Sequence, residues 1–135
     1  MPHLVVLYTG NLEAETNMSA LCRSAADAML SVRDEHNLQV YPTGGVRVLA
    51  LQAAHYAVAD GQRDYAFVYL NLRMGRGRSA AVQRRVGESV LAAVKAHFEP
   101  VFARRYIGIT LQIDEGQEVF DDKYGNIHPL FSKSP

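Results

Sequence analysis

Three apolar patterns follow one another between residues 64 and 113, and their order limits the folds open to the chain. Residues 65–72 are an aromatic and aliphatic run typical of a buried strand. Ser79 can then cap a helix in which apolar residues recur near every fourth position. These residues are Val82, Val86, Val90, Val94, Phe98 and Val101. Residues 106–113 alternate again as a strand. This order predicts two parallel strands joined by a right-handed helical crossover.

The first half of the chain has the same order of elements, with little shared sequence. Residues 4–8 are apolar on both faces of a predicted strand, which Gly10 and Asn11 interrupt. A helix is predicted from about Asn17, with Thr16 or Asn17 as its N-cap. The apolar positions of the helix are Met18, Leu21, Cys22, Ala25, Met29 and Val32. Residues 46–58 favour a second strand, although their alanines leave a helix possible there.

Together the two halves predict one α+β domain over residues 1–135. The half-repeats span about 2–60 and 64–115, and a tail covers 116–135. Two β-α-β units side by side form a four-stranded sheet with both helices on one face. The strands read apolar on their other face too, so we expect that face to contact other subunits of a homo-oligomer. In the tail, Ile127, Leu130 and Phe131 are expected to pack on a neighbouring surface.

Composition narrows the class of protein further. Lys+Arg and Asp+Glu both number 14, so the net charge does not attract nucleic acid or an anionic membrane. The chain shows no signal peptide and no apolar segment long enough to span a bilayer, which favours the cytoplasm. The single cysteine, Cys22, excludes an internal disulfide and is expected in the core. The histidines lack further ligands at metal spacing, so no metal site is predicted.

Pro2 precedes the first predicted strand directly. If Met1 is removed, Pro2 becomes a terminal secondary amine whose pKa lies within a few units of neutrality, which suits a general base. The alternative interpretation is that Pro2 only begins an edge strand, where no neighbouring strand needs a hydrogen bond from the N–H that proline lacks.

Several segments resemble one family in order and spacing. They are Met-Pro-His before an apolar strand, residues 41–47 (YPTGGVR), 59–68 (ADGQRDYAFV), 75–79 (GRGRS) and 127–131 (IHPLF). The chain resembles the 5-carboxymethyl-2-hydroxymuconate delta-isomerases of the tautomerase superfamily, which carry an amino-terminal proline. The resemblance spans nearly the whole chain and is sharpest from about 41 to 79.

That resemblance implies a tautomerase-type homotrimer of double β-α-β subunits whose sheets face inward. It also implies an isomerase without metal or cofactor, acting on a small-molecule carboxylate in bacterial homoprotocatechuate breakdown. The reaction moves a proton within an unsaturated 2-hydroxy or 2-oxo acid carrying two or three carboxylates, with 5-carboxymethyl-2-hydroxymuconate as the implied substrate.

Pro2 is implied as the base, and Arg47 and Arg78 match family arginines that hold the substrate carboxylates and assist catalysis. A guanidinium can grip a carboxylate through two hydrogen bonds and stabilise a developing dienolate. His3 and Arg76 are further candidates for substrate binding. For all four flanking side chains the alternative is structural: solvated arginines, and a histidine packed in its strand.

Two other functions remain open at this point. The same proline and arginines would serve another superfamily activity, such as a different keto-enol tautomerase or a dehalogenase. A non-enzymatic anion-binding or nucleic-acid-binding module could use the arginines between residues 73 and 85. The balanced charge, and the lack of aromatic residues among those arginines, argue against the binding module.

Overall fold

Four strands form one mixed sheet in a computed structural model, which describes residues 2–131. The strands are β1 (His3–Thr9), β2 (Arg47–Ala53), β3 (Ala66–Met74) and β4 (Ile107–Glu115), in the order β2-β1-β3-β4. The crossover helices are α1 (Met18–Ser31) and α2 (Ala80–Phe102). β1 pairs in parallel with β2, β3 pairs in parallel with β4, and the central β1–β3 pair is antiparallel. The predicted α+β sheet of tandem β-α-β units is confirmed.

Both helices begin at the predicted caps. The side chain of Asn17 accepts a hydrogen bond from the Ala20 N–H at 3.0 Å, and that of Ser79 accepts from the Val82 N–H at 3.2 Å. The whole apolar ridge of α2 is buried, and it forms a single core with the buried side of α1 and with alternate strand residues. Both helices therefore cover the same face of the sheet.

β2 is shorter than predicted, because it ends at Ala53 rather than near residue 58. Its only pairing partner in the described sheet is β1, and Thr9, the last residue of β1, lies opposite Ala53. β1 then turns into a short 3-10 helix at Gly10–Leu12, so the residues after Ala53 have no strand to pair with. Cys22 also departs from expectation, because it is only half-buried instead of lying in the core.

The face of the sheet without helices is divided by character. On the β2–β1 side it exposes Leu49 (59%), Leu51 (53%) and Leu7 (41%). On the β3–β4 side it is polar, with the Tyr69 hydroxyl donating to the Gln112 amide oxygen at 2.9 Å. The expectation of an apolar uncovered face thus holds for only half of the sheet.

Arg105 joins the segments at the end of the sheet where β1 and β2 finish. Its side chain is 10% exposed, and its guanidinium lies 3.0 Å from a Glu15 carboxylate oxygen and 2.9 Å from one of Asp64. It also donates to the Asn11 carbonyl at 3.2 Å. This network fixes the turns that follow β1 and precede β3.

Replacing the buried guanidinium should destabilise the fold. Arg105→Met leaves the Glu15 and Asp64 carboxylates without their shared partner, and we expect the free energy of unfolding to fall by ~1–3 kcal/mol. Urea unfolding followed by circular dichroism measures this change. The matched control is Arg84→Met, whose ion pair with Glu88 joins side chains 81% and 66% exposed, and which should change stability by less than ~0.5 kcal/mol. Equal effects of the two substitutions would contradict the assignment.

Candidate active site

One end of the sheet gathers the predicted site residues, and we call it the proline end. β1 and β2 begin there and β3 and β4 finish there, because the two parallel pairs run in opposite directions. His3 lies opposite Arg47 on β2 and Arg73 on β3. Pro2, one residue earlier, therefore lies beside the residue that precedes Arg47 and the residue that follows Arg73. Pro2 is buried, and its carbonyl accepts a hydrogen bond from the Arg47 N–H at 3.3 Å.

Arg47 begins β2 directly after the 3-10 turn Thr43–Gly45 and Val46. Its Nη1 donates to the Gly44 carbonyl at 2.6 Å and to the Val46 carbonyl at 3.0 Å. The guanidinium is half-buried and lines two cavities of about 530 and 440 Å³. The hydrogen bonds it makes to residues 2–131 use one nitrogen, which leaves the rest of the fork directed at the cavities.

Arg78 lies in the loop between β3 and α2, one residue before the Ser79 cap. Its Nη1 donates to the Gly75 carbonyl at 3.2 Å and its Nη2 to the Val40 carbonyl at 3.3 Å. The beginning of α2 adds a field that favours an anion near this guanidinium. Arg78 lines a third cavity, of about 190 Å³, together with Asp34 and Glu35.

His3 and Arg76 lie at the same end but have different surroundings. His3 is exposed on the uncovered face, and partial burial, with a smaller contribution from the Arg47 guanidinium, lowers its pKa below the ordinary value. This shift favours the neutral form of the imidazole. Arg76 is exposed, and its Nε donates to the Gly116 carbonyl at 2.9 Å, which holds the beginning of the tail near the β3–α2 loop.

The strand and helix patterns of the sequence do not predict where the tail lies in this region. After Gly116 it returns across the proline end, where the 3-10 turn His128–Leu130 packs against Thr43–Gly45. Ile127 lines both cavities at Arg47, and Phe131 lines the larger one. The only sequence signal for this placement is the IHPLF segment noted above, since alternating or helical periodicity is missing from the tail.

The proline and the two arginines share one end of the sheet but not one cavity. Arg47 opens into the cavities between β2, α1 and the tail, whereas Arg78 opens beside the loop that follows α1. Pro2 is not among the residues that line these three cavities. None of these three cavities is therefore lined by Pro2 and both arginines together.

The described part of the chain has neither a cluster of metal ligands nor a membrane-spanning helix. Among residues 2–131, no group of three or more His, Cys, Asp or Glu side chains is arranged to hold a metal ion. No helix in that range is long and apolar enough to cross a membrane.

The tandem β-α-β sheet, with two helices on one face, is the fold of the tautomerase class of proteins. The family model described as 5-carboxymethyl-2-hydroxymuconate isomerase matches residues 2–131, which is nearly the whole chain. The chain therefore belongs to the 5-carboxymethyl-2-hydroxymuconate isomerase family, as the sequence motifs predicted.

Individual relatives agree with this placement. The chain is 56% identical to a 5-carboxymethyl-2-hydroxymuconate delta-isomerase of known crystal structure, with a TM-score of 0.96 over 100% of this chain and 95% of that one. It is 33% identical to a 5-carboxymethyl-2-hydroxymuconate isomerase from Deinococcus radiodurans R1, with a TM-score of 0.86 and coverage of 98% and 95%. It is 28% identical to the Escherichia coli 5-carboxymethyl-2-hydroxymuconate Delta-isomerase, over 97% of this chain and 99% of that protein.

Gly44 provides a test of how the tail is held at Arg47. A Cβ on Gly44 would lie 2.5 Å from the His128 Cα, so Gly44→Ala must displace the His128–Leu130 turn. We expect faster amide hydrogen exchange after residue 116, together with a lower melting temperature. Gly125→Ala is the matched control, because a Cβ there meets nothing within 4 Å and should leave exchange unchanged. If amide hydrogen exchange in the tail of Gly44→Ala stayed at the wild-type rate, the contact between Gly44 and His128 would not be what holds the tail.

Proposed function

We propose that this chain catalyses the isomerisation of 5-carboxymethyl-2-hydroxymuconate during homoprotocatechuate degradation in the cytoplasm, with Pro2 as general base. The observation that carries the proposal is the family match over residues 2–131, which includes a proline at position 2. The substrate is an unsaturated 2-hydroxy acid with three carboxylates. The reaction needs no cofactor, because it only relocates one proton.

The reaction takes place in two proton transfers. The free amine of Pro2, exposed once Met1 is removed, accepts the proton of the enol hydroxyl, and the electrons move through the conjugated chain as a dienolate. The resulting ammonium then returns the proton to a carbon of that chain, which leaves a 2-oxo acid and a neutral amine. A pKa near neutrality suits both steps. Pro2 is buried, and burial disfavours the charged ammonium and so favours the neutral amine that accepts the proton.

Arg47 and Arg78 are the proposed carboxylate ligands. Each guanidinium is half-buried and is partly held by backbone carbonyls, so it keeps N–H groups for an anion at little cost in side-chain entropy. They also stabilise the negative charge of the dienolate. His3 and Arg76 contribute to substrate binding at the rim of the site.

We further propose that the active unit is a homotrimer whose sites lie between subunits. Support comes from two features of the single chain. Leu49, Leu51 and Leu7 form an apolar strip on the uncovered face, which favours burial against another copy. The arginines open into different cavities, so a neighbouring copy is needed to complete one closed site around Pro2.

Altering the proposed base should lower turnover strongly. Pro2→Ala exchanges the rigid secondary amine for a primary amine without the ring, and we expect kcat to fall ~100-fold, the scale of a general base's contribution. The assay follows 5-carboxymethyl-2-hydroxymuconate by its ultraviolet absorbance. In the wild type, kcat/KM should decline as the pH falls through the proline pKa, because the ammonium cannot accept a proton.

Pro100→Ala is the matched control, since Pro100 is exposed in the last turn of α2, far along the chain from β1. It should keep wild-type kcat. Intact mass of the purified enzyme must also show that Met1 is gone. Full activity in Pro2→Ala, or in protein that retains Met1, would contradict the proline mechanism.

The trimer is tested on the uncovered face. Leu51→Lys places a charge within the apolar strip, and we expect it to convert trimer to monomer and to lower kcat/KM by more than ~10-fold, since burying an unpaired charge is costly. Light scattering after size exclusion gives the mass. Leu38→Lys is the control, because Leu38 is 62% exposed in the loop after α1. A wild-type enzyme that is monomeric and fully active would overturn this part of the proposal.

A further inference from the structure

Tyr41 is a buried side chain that the mechanism above does not use. It precedes the Thr43–Gly45 turn and is 0% exposed. Its ring centroid lies 4.8 Å from Cζ of Arg78, so the guanidinium sits over the ring face. Its hydroxyl donates to Sδ of Met74, the last residue of β3, at 3.5 Å. The ring is therefore held by the sheet at one edge and carries a cation on its face.

The backbone around Arg78 does not fix the guanidinium by itself. The loop from Gly75 to Ser79 contains Gly77 at φ +106°, a conformation that restricts other residues but not glycine. An arginine side chain on such a loop has several rotatable bonds and loses considerable entropy when it is ordered. The carbonyls of Gly75 and Val40 restrain two of its nitrogens, at 3.2 and 3.3 Å. The face of Tyr41 supplies a third contact, which defines the plane of the fork.

We infer that Tyr41 is a positioning residue whose ring face holds the Arg78 guanidinium in the orientation that receives a substrate carboxylate. The inference rests on the proposed role of Arg78. In this role Tyr41 acts through Arg78.

Two observations make the ring suitable for this role. Burial raises the pKa of Tyr41 to about 12, against a smaller opposing effect of Arg78, so the phenol stays neutral throughout the range of an assay. The ring is also anchored where it matters for geometry. His3 pairs with Arg73, so Met74 lies at the level of Pro2 in the sheet. The buried ring, which contacts Met74, thus holds Arg78 at the end of the sheet where Pro2 lies.

The test lowers the electron density on the face of the ring at position 41 while keeping an aromatic ring in the same place. Tyr41→Phe keeps the ring and removes only the hydroxyl, and KM should stay within ~2-fold of wild type. Replacing Tyr41 with a trifluorinated phenylalanine keeps the ring size but withdraws electrons from its face. We expect KM to rise ~3-fold to 30-fold above Tyr41→Phe, with kcat changed less, because a cation over a ring contributes roughly that much. A residue that only fills space would show no dependence on fluorination.

The same substitutions in an Arg78→Ala background complete the experiment. With the guanidinium gone, fluorination should have no effect on KM. Equal KM values for the plain and fluorinated rings in the presence of Arg78 overturn the inference, as does an equal fluorination effect in its absence. If Arg78→Ala alone leaves KM and kcat unchanged, the proposed role of Arg78 fails instead. Circular dichroism confirms that each variant is folded at the assay temperature.

Discussion

The antiparallel pairing of β1 with β3 is the constraint on which the arrangement of the site depends. Each β-α-β unit by itself places the beginnings of its two strands at one end. Because β1 and β3 run in opposite directions, the beginning of the first unit meets the end of the second. This brings Pro2, which precedes β1, to the level of the loop that follows β3 and carries Arg78. A parallel β1–β3 pair would separate them by the length of the sheet, which is about 20 Å for strands of this size.

Local periodicity was enough to predict the sheet, both helices and their caps. The apolar ridge of α2 and the alternation in β4 each follow from the need of one element to bury one face. The end of β2 was not predictable in this way. Residues 54–58 keep the composition of a strand or helix, and only the length of β1 decides that pairing stops at Ala53. The polar half of the uncovered face could be seen only once the register had aligned β3 with β4.

The candidate site could be predicted as a set of residues but not as a volume. Pro2, Arg47 and Arg78 were chosen because each lies in a segment that resembles the family, and their roles stay predictions. Their surroundings come from contacts across more than thirty residues of chain, such as the Tyr41 hydroxyl on Met74. The tail shows the same limit. Its packing on Thr43–Gly45 depends on the missing side chain of Gly44, which allows the close approach of His128.

The two arginine side chains are held by different contacts, and this difference affects how each guanidinium could bind a carboxylate. Nη1 of Arg47 is tied to the turn that precedes its own strand, and the tail closes over its cavities, so its position follows that of the tail. Arg78 instead rests on a ring and two carbonyls at the beginning of α2. On the proposed roles, binding of a carboxylate at Arg47 would depend on whether the tail is docked, whereas a carboxylate at Arg78 would meet a preorganised donor. In the proposed substrate with three carboxylates, this difference would make Arg47 the adaptable contact and Arg78 the fixed one.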